Sequence, residues 1–454
     1  MTFPFKITEH VIDGQYIREY PRATASPDSP LKLCIKQYTP VDNKNPQPGD
    51  LTIVATHGTG MPKVSSTIAA QSVCMDVNLV TQELYEPLWE ELLARSEQDG
   101  VRIRSIWMAD ATNQGASGIL NEQHLGNDPS WYDHSRDVVH MINHFRDQMP
   151  RPIIGVGHSL GAVQLLFASL FHPRLFTSLA LIEPHMTDDP LSGDGPLFVA
   201  MSTAKRDVWP SREAAAEKSR KLLKAWDPRV FELWKKFGYR DLPTALHPEV
   251  PNDGSRPVTL TTTKHQETIM YTRPNVNRHV QLGLPHSQAH TDPDSIKLSA
   301  AHDSLVAPDV LGPLLPDQKS YRPEPILAYK LVPHIRPSVL YLSASHSPLG
   351  KGGQHAEASK QTGTGFGGSG GMDSGRVKLV TIPKAGHTLP QEKVADTARA
   401  LSPWIKQELQ RWEQDELRIY GGWKDRPIGE KSGFPPEWKE VIKSLPLPKR
   451  PAKI

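Results

Sequence analysis

The chain has 454 residues and a formal net charge of +2, with 52 Lys and Arg set against 50 Asp and Glu. That length suits one α/β core elaborated by an insertion, and charge spread this evenly supplies no basic block for nucleic acid. Cys34 and Cys74 are the only cysteines, too few for a disulfide framework or a thiolate metal site, so a reducing intracellular compartment is expected.

The opening stretch, MTFPFKITEHVIDG, has no apolar h-region and no small-residue cleavage site, and no run of about eighteen apolar residues occurs anywhere. Neither secretion nor a membrane span is expected. Lys6 to Ile12 and Leu31 to Tyr38 read as an antiparallel edge. The segments Leu51 to Gly58, Val101 to Asp110, Pro152 to Ser159, Ser178 to Pro184, Ser338 to Ala344 and Arg376 to Pro383 read as further strands. Several are continuously apolar, as strands covered on both faces are, and longer amphipathic stretches separate them. This alternation predicts an α/β fold: a mostly parallel sheet flanked by helices.

Between the sixth and seventh of these strands the pattern changes. PSREAAAEKSRKLLKAWDPRVFELWKKFGY reads as one or two amphipathic helices, the second opening at Asp227-Pro228, where Asp can cap and Pro fits the first helical position. Residues 190–325 are therefore expected to form an inserted, mostly helical cap. It divides the core into residues 1–189 and 326–420, with 421–454 as a proline-punctuated tail. Gly350 to Gly375, GKGGQHAEASKQTGTGFGGSGGMDSG, is too poor in apolar residues to offset its ordering entropy, and a mobile loop outside catalysis is expected. A helix carrying Val394, Ala398 and Leu401 follows the last strand, and another from Trp404 to about Trp412 closes the core.

Within this frame, Gly157-His158-Ser159-Leu160-Gly161 fits the G-x-S-x-G pattern of a nucleophile elbow. A buried strand precedes Ser159, and Val163, Leu166, Phe167 and Leu170 follow at helical spacing, so the serine sits at a strand-to-helix turn. A serine hydroxyl needs a base. His387, just past the last strand in KLVTIPKAGHTLP, occupies the place where that base belongs. The third member should be a carboxylate that orients the imidazole. After SVLYLSA, where the acid most often lies in such enzymes, come Ser345, His346 and Ser347 but no Asp or Glu. Glu183, at the end of LALIEPH, is the choice, with Asp110, Asp188 and Asp189 as competitors. Oxyanion donors are expected from the N–H of Leu160 and of Thr59 in THGTGMPK, with Gly60 and Met61 as alternatives to Thr59. His57 and His158 are expected to hold loop geometry.

The His57-Gly58 turn, GHSLG at Ser159 and AGH at Ala385 to His387, in that order, resemble the α/β-hydrolase superfamily across the whole core. More narrowly, LALIEPH, the stretch from WPSREAA to AWDPRVFELW and VTLTTTKHQET are similar to fungal peroxisomal hydrolases. That group includes the acyl-CoA hydrolase of mycophenolic acid biosynthesis, toxin-biosynthesis hydrolases and, more distantly, yeast peroxisomal lipase. The resemblance implies an α/β-hydrolase fold and a triad of Ser159, Glu183 and His387, with Glu standing where the acyl-CoA hydrolase has Asp. The Gly-rich segment is a second departure.

Together these readings predict a serine hydrolase of acyl thioesters, an acyl-CoA hydrolase in fungal secondary metabolism, needing no cofactor and no metal. A carboxylester hydrolase or lipase would use the same residues, and a non-catalytic binding protein on this fold would show a broken triad. An Asp nucleophile, required for epoxide hydrolase or dehalogenase chemistry, is absent from the elbow. Arg206, Lys218, Arg220, Lys221 and Lys224 of the cap could meet CoA phosphates or simply form a solvated helix face. The final Ala452-Lys453-Ile454 is similar to the S-K-L address read by the peroxisomal import receptor, so the peroxisome is the expected location and the cytoplasm the alternative.

Overall fold

A computed structural model describes residues 3–59, 82–188, 195–274 and 320–446. Its centre is an eight-stranded sheet formed by β1 (Phe5–Asp13), β2 (Lys32–Pro40), β3 (Leu51–Thr56), β4 (Ile103–Ala109), β5 (Ile153–His158), β6 (Ser178–Ile182), β12 (Ser338–Ala344) and β13 (Val377–Ile382). They are ordered β1-β2-β4-β3-β5-β6-β12-β13. β1 pairs antiparallel with β2, and β2 antiparallel with β4, while every later pairing is parallel. This is the expected α/β-hydrolase sheet with its antiparallel edge. Position in the sheet explains the sequence pattern. Every residue of β3, β5, β6 and β12 is buried, whereas edge strand β1 alternates exposed and covered positions.

Helices α1 (Glu86–Gln98), α2 (Gly115–Leu120), α3 (Trp131–His144) and α4 (Leu160–Phe171) connect the strands. Ser130 caps α3 with its side chain, and Asp133 reaches back to the Ser130 N–H in a capping box. Of the predicted stripe, Val163, Leu166 and Phe167 of α4 are fully buried and Leu170 is half-buried, and the helix packs on β5 and α3.

Between β6 and β12 lie the helices α5 (Gly195–Thr203), α6 (Arg212–Leu222), α7 (Pro228–Phe237) and α8 (Lys264–Tyr271), of which α6 and α7 fall in the stretch read as one or two amphipathic helices. Asp227 caps α7 by accepting from the Arg229 N–H, with Pro228 opening the helix. A small antiparallel sheet, β7 (Val208–Trp209), β8 (Tyr239–Asp241) and β9 (Val258–Leu260) in the order β7-β9-β8, adds to the helical cap. A two-residue ribbon of β10 (Arg273–Pro274) and β11 (Ser320–Tyr321) follows it.

One expectation is corrected. The segment Gly350 to Gly375 is not an unstructured loop: Pro348–Lys351 and Gln354–Gln361 are helical, and His355, Ala358, Ser359 and Thr362 are buried. Its order comes from backbone hydrogen bonds rather than apolar burial. The N–H groups of Gly363, Gly365 and Ser369 donate to the carbonyls of Val332, Pro333 and Ile335 at 2.9, 2.8 and 3.0 Å. Glycine makes these turns accessible, with φ of 76° at Gly363 and 93° at Gly370.

The two closing helices predicted separately are one, Val394–Tyr420, with Pro403 inside it. Residues 1–408 form one compact unit, in which Val394, Ala398, Leu401 and Ile405 are buried and Trp404 Nε1 donates to Ser178 Oγ at 2.8 Å. Residues 409–454 form the second unit, which holds the short helices Ile428–Ser432 and Pro436–Ser444.

Candidate active site

Register brings the predicted site together. β5 pairs with β6 so that His158 lies opposite Ile182, and β12 pairs with β6 so that Leu342 lies opposite Ile182. The next residues along, Ser159, Glu183 and Ser343, therefore gather at the carboxyl ends of three adjacent strands. Hydrogen bonds hold the first two in place, from Ser159 N–H to Ile182 O and from Glu183 N–H to Leu342 O, each 2.8 Å.

Ser159 has φ 56° and ψ −122°, a conformation that L residues adopt only under strain. The turn closes because its glycines allow close approach. A Cβ on Gly157 would stand 2.6 Å from Ala162 Cα, and one on Gly161 would stand 2.5 Å from His57 O. His387 Nε2 lies 2.9 Å from Ser159 Oγ, and His387 Nδ1 lies 3.0 Å from Glu183 Oε2. A carboxylate only accepts, so Nδ1 carries the proton and Nε2 faces the serine as an acceptor. Burial, reinforced by the neighbouring His355, pushes the His387 imidazole down to about 3, which favours the neutral base form.

Glu183 is fully buried and its backbone also has positive φ, 49°. Burial raises its carboxyl above the ordinary value, opposed first by the attraction of His355 and then by hydrogen bonds. Its second oxygen, Oε1, accepts the Ala344 N–H. The rival acids lie elsewhere. Asp110 Oδ1 stands 3.7 Å from His57 Nε2, and Asp110 Oδ2 accepts the Ala116 N–H at 2.8 Å; burial drives this carboxyl far above its ordinary value. Asp188 is exposed, and Asp189 is outside the described residues.

Thr59 and Leu160, the expected oxyanion donors, are both buried, and Gln114 Nε2 holds Thr59 Oγ1 at 3.0 Å. Gly58 sits against the elbow, since a Cβ on it would lie 3.1 Å from Ser159 Cβ. The Gly58 N–H donates to Tyr85 Oη at 3.0 Å, which takes it out of contention as an oxyanion donor. Tyr85 O–H donates to His158 Nδ1 at 2.8 Å, and His158 Nε2–H donates to His387 O at 2.9 Å. His158 thus ties the loop at Gly58 to the loop that carries His387, and burial, the like charge of His387 adding to it, pushes its imidazole down to about 3. His57 Nδ1–H donates to Gly58 O at 3.1 Å, while Nε2 accepts the Ala111 N–H at 3.3 Å. Both histidines occupy the loop-holding places expected of them. The alternatives Gly60 and Met61 are outside the described residues.

The insertion closes over His387. Phe198 of α5 lies 6.3 Å from the His387 ring, Tyr271 of α8 stacks on Phe198 at 5.6 Å, and Trp226 Nε1 donates to Thr388 Oγ1 at 3.0 Å. Sequence reasoning missed Tyr85, Phe198, Tyr271 and His355. Only the aromatic-rich AWDPRVFELW hinted at a cap contact. Arg206, Lys218, Arg220, Lys221 and Lys224 are exposed, and Arg220 lies over the Phe231 ring at 4.9 Å. Among the described residues no group of three or more His, Cys, Asp or Glu is arranged to hold a metal ion, and no helix is long and apolar enough to cross a membrane. Ala452, Lys453 and Ile454 are outside the described residues.

Comparison with known proteins places this geometry in context. Residues 53–400 match the alpha/beta hydrolase family. The type I acyl-CoA thioesterase mpaH' of Penicillium brevicompactum is 38% identical, over 98% of this chain and 97% of its own. The abhydrolase domain-containing protein AFT2-1 of Alternaria alternata is 24% identical over 65% of this chain and 99% of its own. Among solved structures, the peroxisomal alpha-beta-hydrolase Lpx1 of Saccharomyces cerevisiae superposes with a TM-score of 0.61 at 15% identity, covering 95% of this chain and 99% of that one, a likeness of fold alone.

Proposed function

The chain belongs to the alpha/beta hydrolase family, and from that premise we propose that it is a serine hydrolase that cleaves acyl-CoA thioesters through Ser159, His387 and Glu183. The observation that carries this reading is the hydrogen-bonded relay itself, Ser159 Oγ to His387 Nε2 at 2.9 Å and His387 Nδ1 to Glu183 Oε2 at 3.0 Å. The nearly full-length similarity to the acyl-CoA thioesterase supports the choice of a thioester.

In the first half-reaction Ser159 Oγ attacks the thioester carbonyl while His387 Nε2 takes the serine proton. Glu183 stabilises the imidazolium. Negative charge on the carbonyl oxygen meets the N–H groups of Leu160 and Thr59, each worth about 3 to 4 kcal/mol of barrier in comparable enzymes. Collapse expels the thiolate, which takes the proton from His387, and leaves an acyl ester on Ser159. Water, deprotonated by His387, then attacks that ester, and the acid departs as the proton returns to Ser159.

The test is hydrolysis of matched acyl-CoA thioesters and oxygen esters of short, medium and long chains by the purified protein and its Ser159→Ala variant. Preferred thioester cleavage, lost in the variant, is the expected result. Preference for oxygen esters would make the protein a carboxylester hydrolase or lipase, and no turnover of either would favour a binding role.

The proposal extends to place and setting: import into the peroxisome through Ala452-Lys453-Ile454, and a role in fungal secondary metabolism. The similarity of that tripeptide to the S-K-L address supports the location. A tagged protein lacking the three residues should stay diffuse in the cytosol, and punctate fluorescence in their absence would refute the address.

A further inference from the structure

The place after β12, where elbow-type hydrolases most often keep their acid, holds no carboxylate in this chain. Instead Ser343 and the Ala344 N–H stand there, and the helix Gln354–Gln361 brings His355 against them. His355 Nε2 lies 2.9 Å from Pro184 O, and since a carbonyl only accepts, Nε2 carries a proton. The ring is thereby pinned to the residue that follows Glu183. Its other nitrogen, Nδ1, lies 2.9 Å from Ser343 Oγ and 3.7 Å from Glu183 Oε1. Glu183 is 0% exposed and His355 2%, so water does not screen the interaction between them. The carboxylate is thus gripped on both oxygens, Oε2 by His387 and Oε1 by the Ala344 N–H with His355 behind it.

We propose that His355, supplied by the glycine-rich segment, is a positioning residue for the catalytic relay: with Ser343 and the Ala344 N–H it holds Glu183 Oε1 so that Oε2 meets His387. The proposal rests on the site assignment made under Proposed function. It also gives the segment a purpose. Its backbone turns deliver one buried imidazole to the acid from a stretch that otherwise buries little side chain. His355 has a second effect, because its attraction is the first of the influences that oppose burial at the Glu183 carboxyl. The titratable groups around this pair are His387, His185 and His158; His185 faces both His387 and His355, and His158 faces His387.

The test compares purified full-length His355→Leu and His355→Gln with the unsubstituted protein and Ser159→Ala, measuring kcat and KM for an acyl-CoA across pH, together with thermal unfolding. His355→Gln keeps a donor for Pro184 O and loses the imidazole. Both His355 variants should lower kcat by about 10- to 100-fold, as small displacements of a supporting group do, with KM within about twofold. The acid limb of kcat/KM should move upward as Glu183 and His387 lose the neighbouring imidazole. A His355→Gln variant with unchanged kcat and pH profile would overturn the proposal. So would a loss of activity that follows unfolding alone with the acid limb in place, which is what a merely structural residue would give. If His355→Leu fails to fold, His355→Gln decides. Appreciable activity in Ser159→Ala would instead overturn the site assignment itself, so the two failures are distinguishable.

Discussion

Replacing Glu183 by Gln removes one charge and leaves the shape of the side chain, yet the structure dictates how the amide must sit. The Ala344 N–H donates to Oε1, so the amide oxygen takes that position and the NH2 group turns to His387 Nδ1. A donor facing Nδ1 makes that nitrogen the acceptor and moves the ring proton to Nε2, which then can no longer take the proton of Ser159. Locking the wrong tautomer in this manner costs about 10⁴ in kcat in a serine protease, equivalent to about 5 kcal/mol of barrier. Glu183→Gln should therefore fall about 10⁴-fold in kcat for an acyl-CoA and keep its unfolding temperature within a few degrees. Asp110→Asn serves as the control. Burial works against charge on its carboxyl, and Oδ2 accepts the Ala116 N–H, a role an Asn oxygen can fill, so activity should stay within about threefold. Glu183→Gln within tenfold of the unsubstituted protein, or Asp110→Asn as the more damaging change, would refute the reasoning and move the acid.

Ser159→Ala should lower turnover by roughly four to six orders of magnitude, and Ser159→Gly should be as inactive but more thermostable than Ser159→Ala, because glycine accepts the φ of 56° without strain; equal melting temperatures would count against strain at the elbow. Tyr85→Phe leaves the Gly58 N–H and His158 Nδ1 without their shared partner, a loss of about 1 to 3 kcal/mol per group, and should lower kcat by about tenfold with little change in KM; unchanged kcat would show that the tie between the loops is dispensable. Burial pushes the imidazoles of His134, His158 and His185 down to about 3, whereas in the unfolded chain they take up protons below about 6.5. For these three groups the unfolded state binds more protons, so they contribute a loss of stability as pH falls from about 6.5 toward 3, with a slope near 4 kcal/mol per pH unit, which the buried carboxyls of Glu86 and Asp133, pushed up to about 7 and about 6, oppose. A His134→Gln variant should therefore lose less of its melting temperature between about pH 6.5 and 4 than the unsubstituted protein, and an equal loss would contradict the neutral buried state of His134.

Local chemistry makes the fold and the candidate site partly legible in the sequence. Buried parallel strands announce themselves as continuous apolar runs such as LTIVAT and SLALI, and the elbow as a serine between glycines at a strand-to-helix turn. His387 followed from its position after the last strand, and Glu183 from the lack of a carboxylate after SVLYLSA. The parts that stayed hidden depend on contacts distant in sequence or on order without apolar burial. His355 sits in a segment whose composition suggests disorder, because its turns are held by backbone hydrogen bonds to residues 332–335. Tyr85 meets His158 across 73 residues, and the cap strands β7, β8 and β9 have only two or three residues each, too few for alternation to register. The stretches read as two helices, around Val394 to Leu401 and from Trp404 to Trp412, are one helix, Val394–Tyr420, which runs through Pro403.

The most direct test of the account is intact-mass analysis of the enzyme quenched during turnover of an acyl-CoA, followed by mapping of any adduct. The account predicts one acyl group per chain, on Ser159 within the peptide IIGVGHSLGA, and none on Ser159→Ala. Acyl-CoA hydrolysis with the adduct on another residue, or with Ser159→Ala still turning over at a tenth of the original rate, would contradict it.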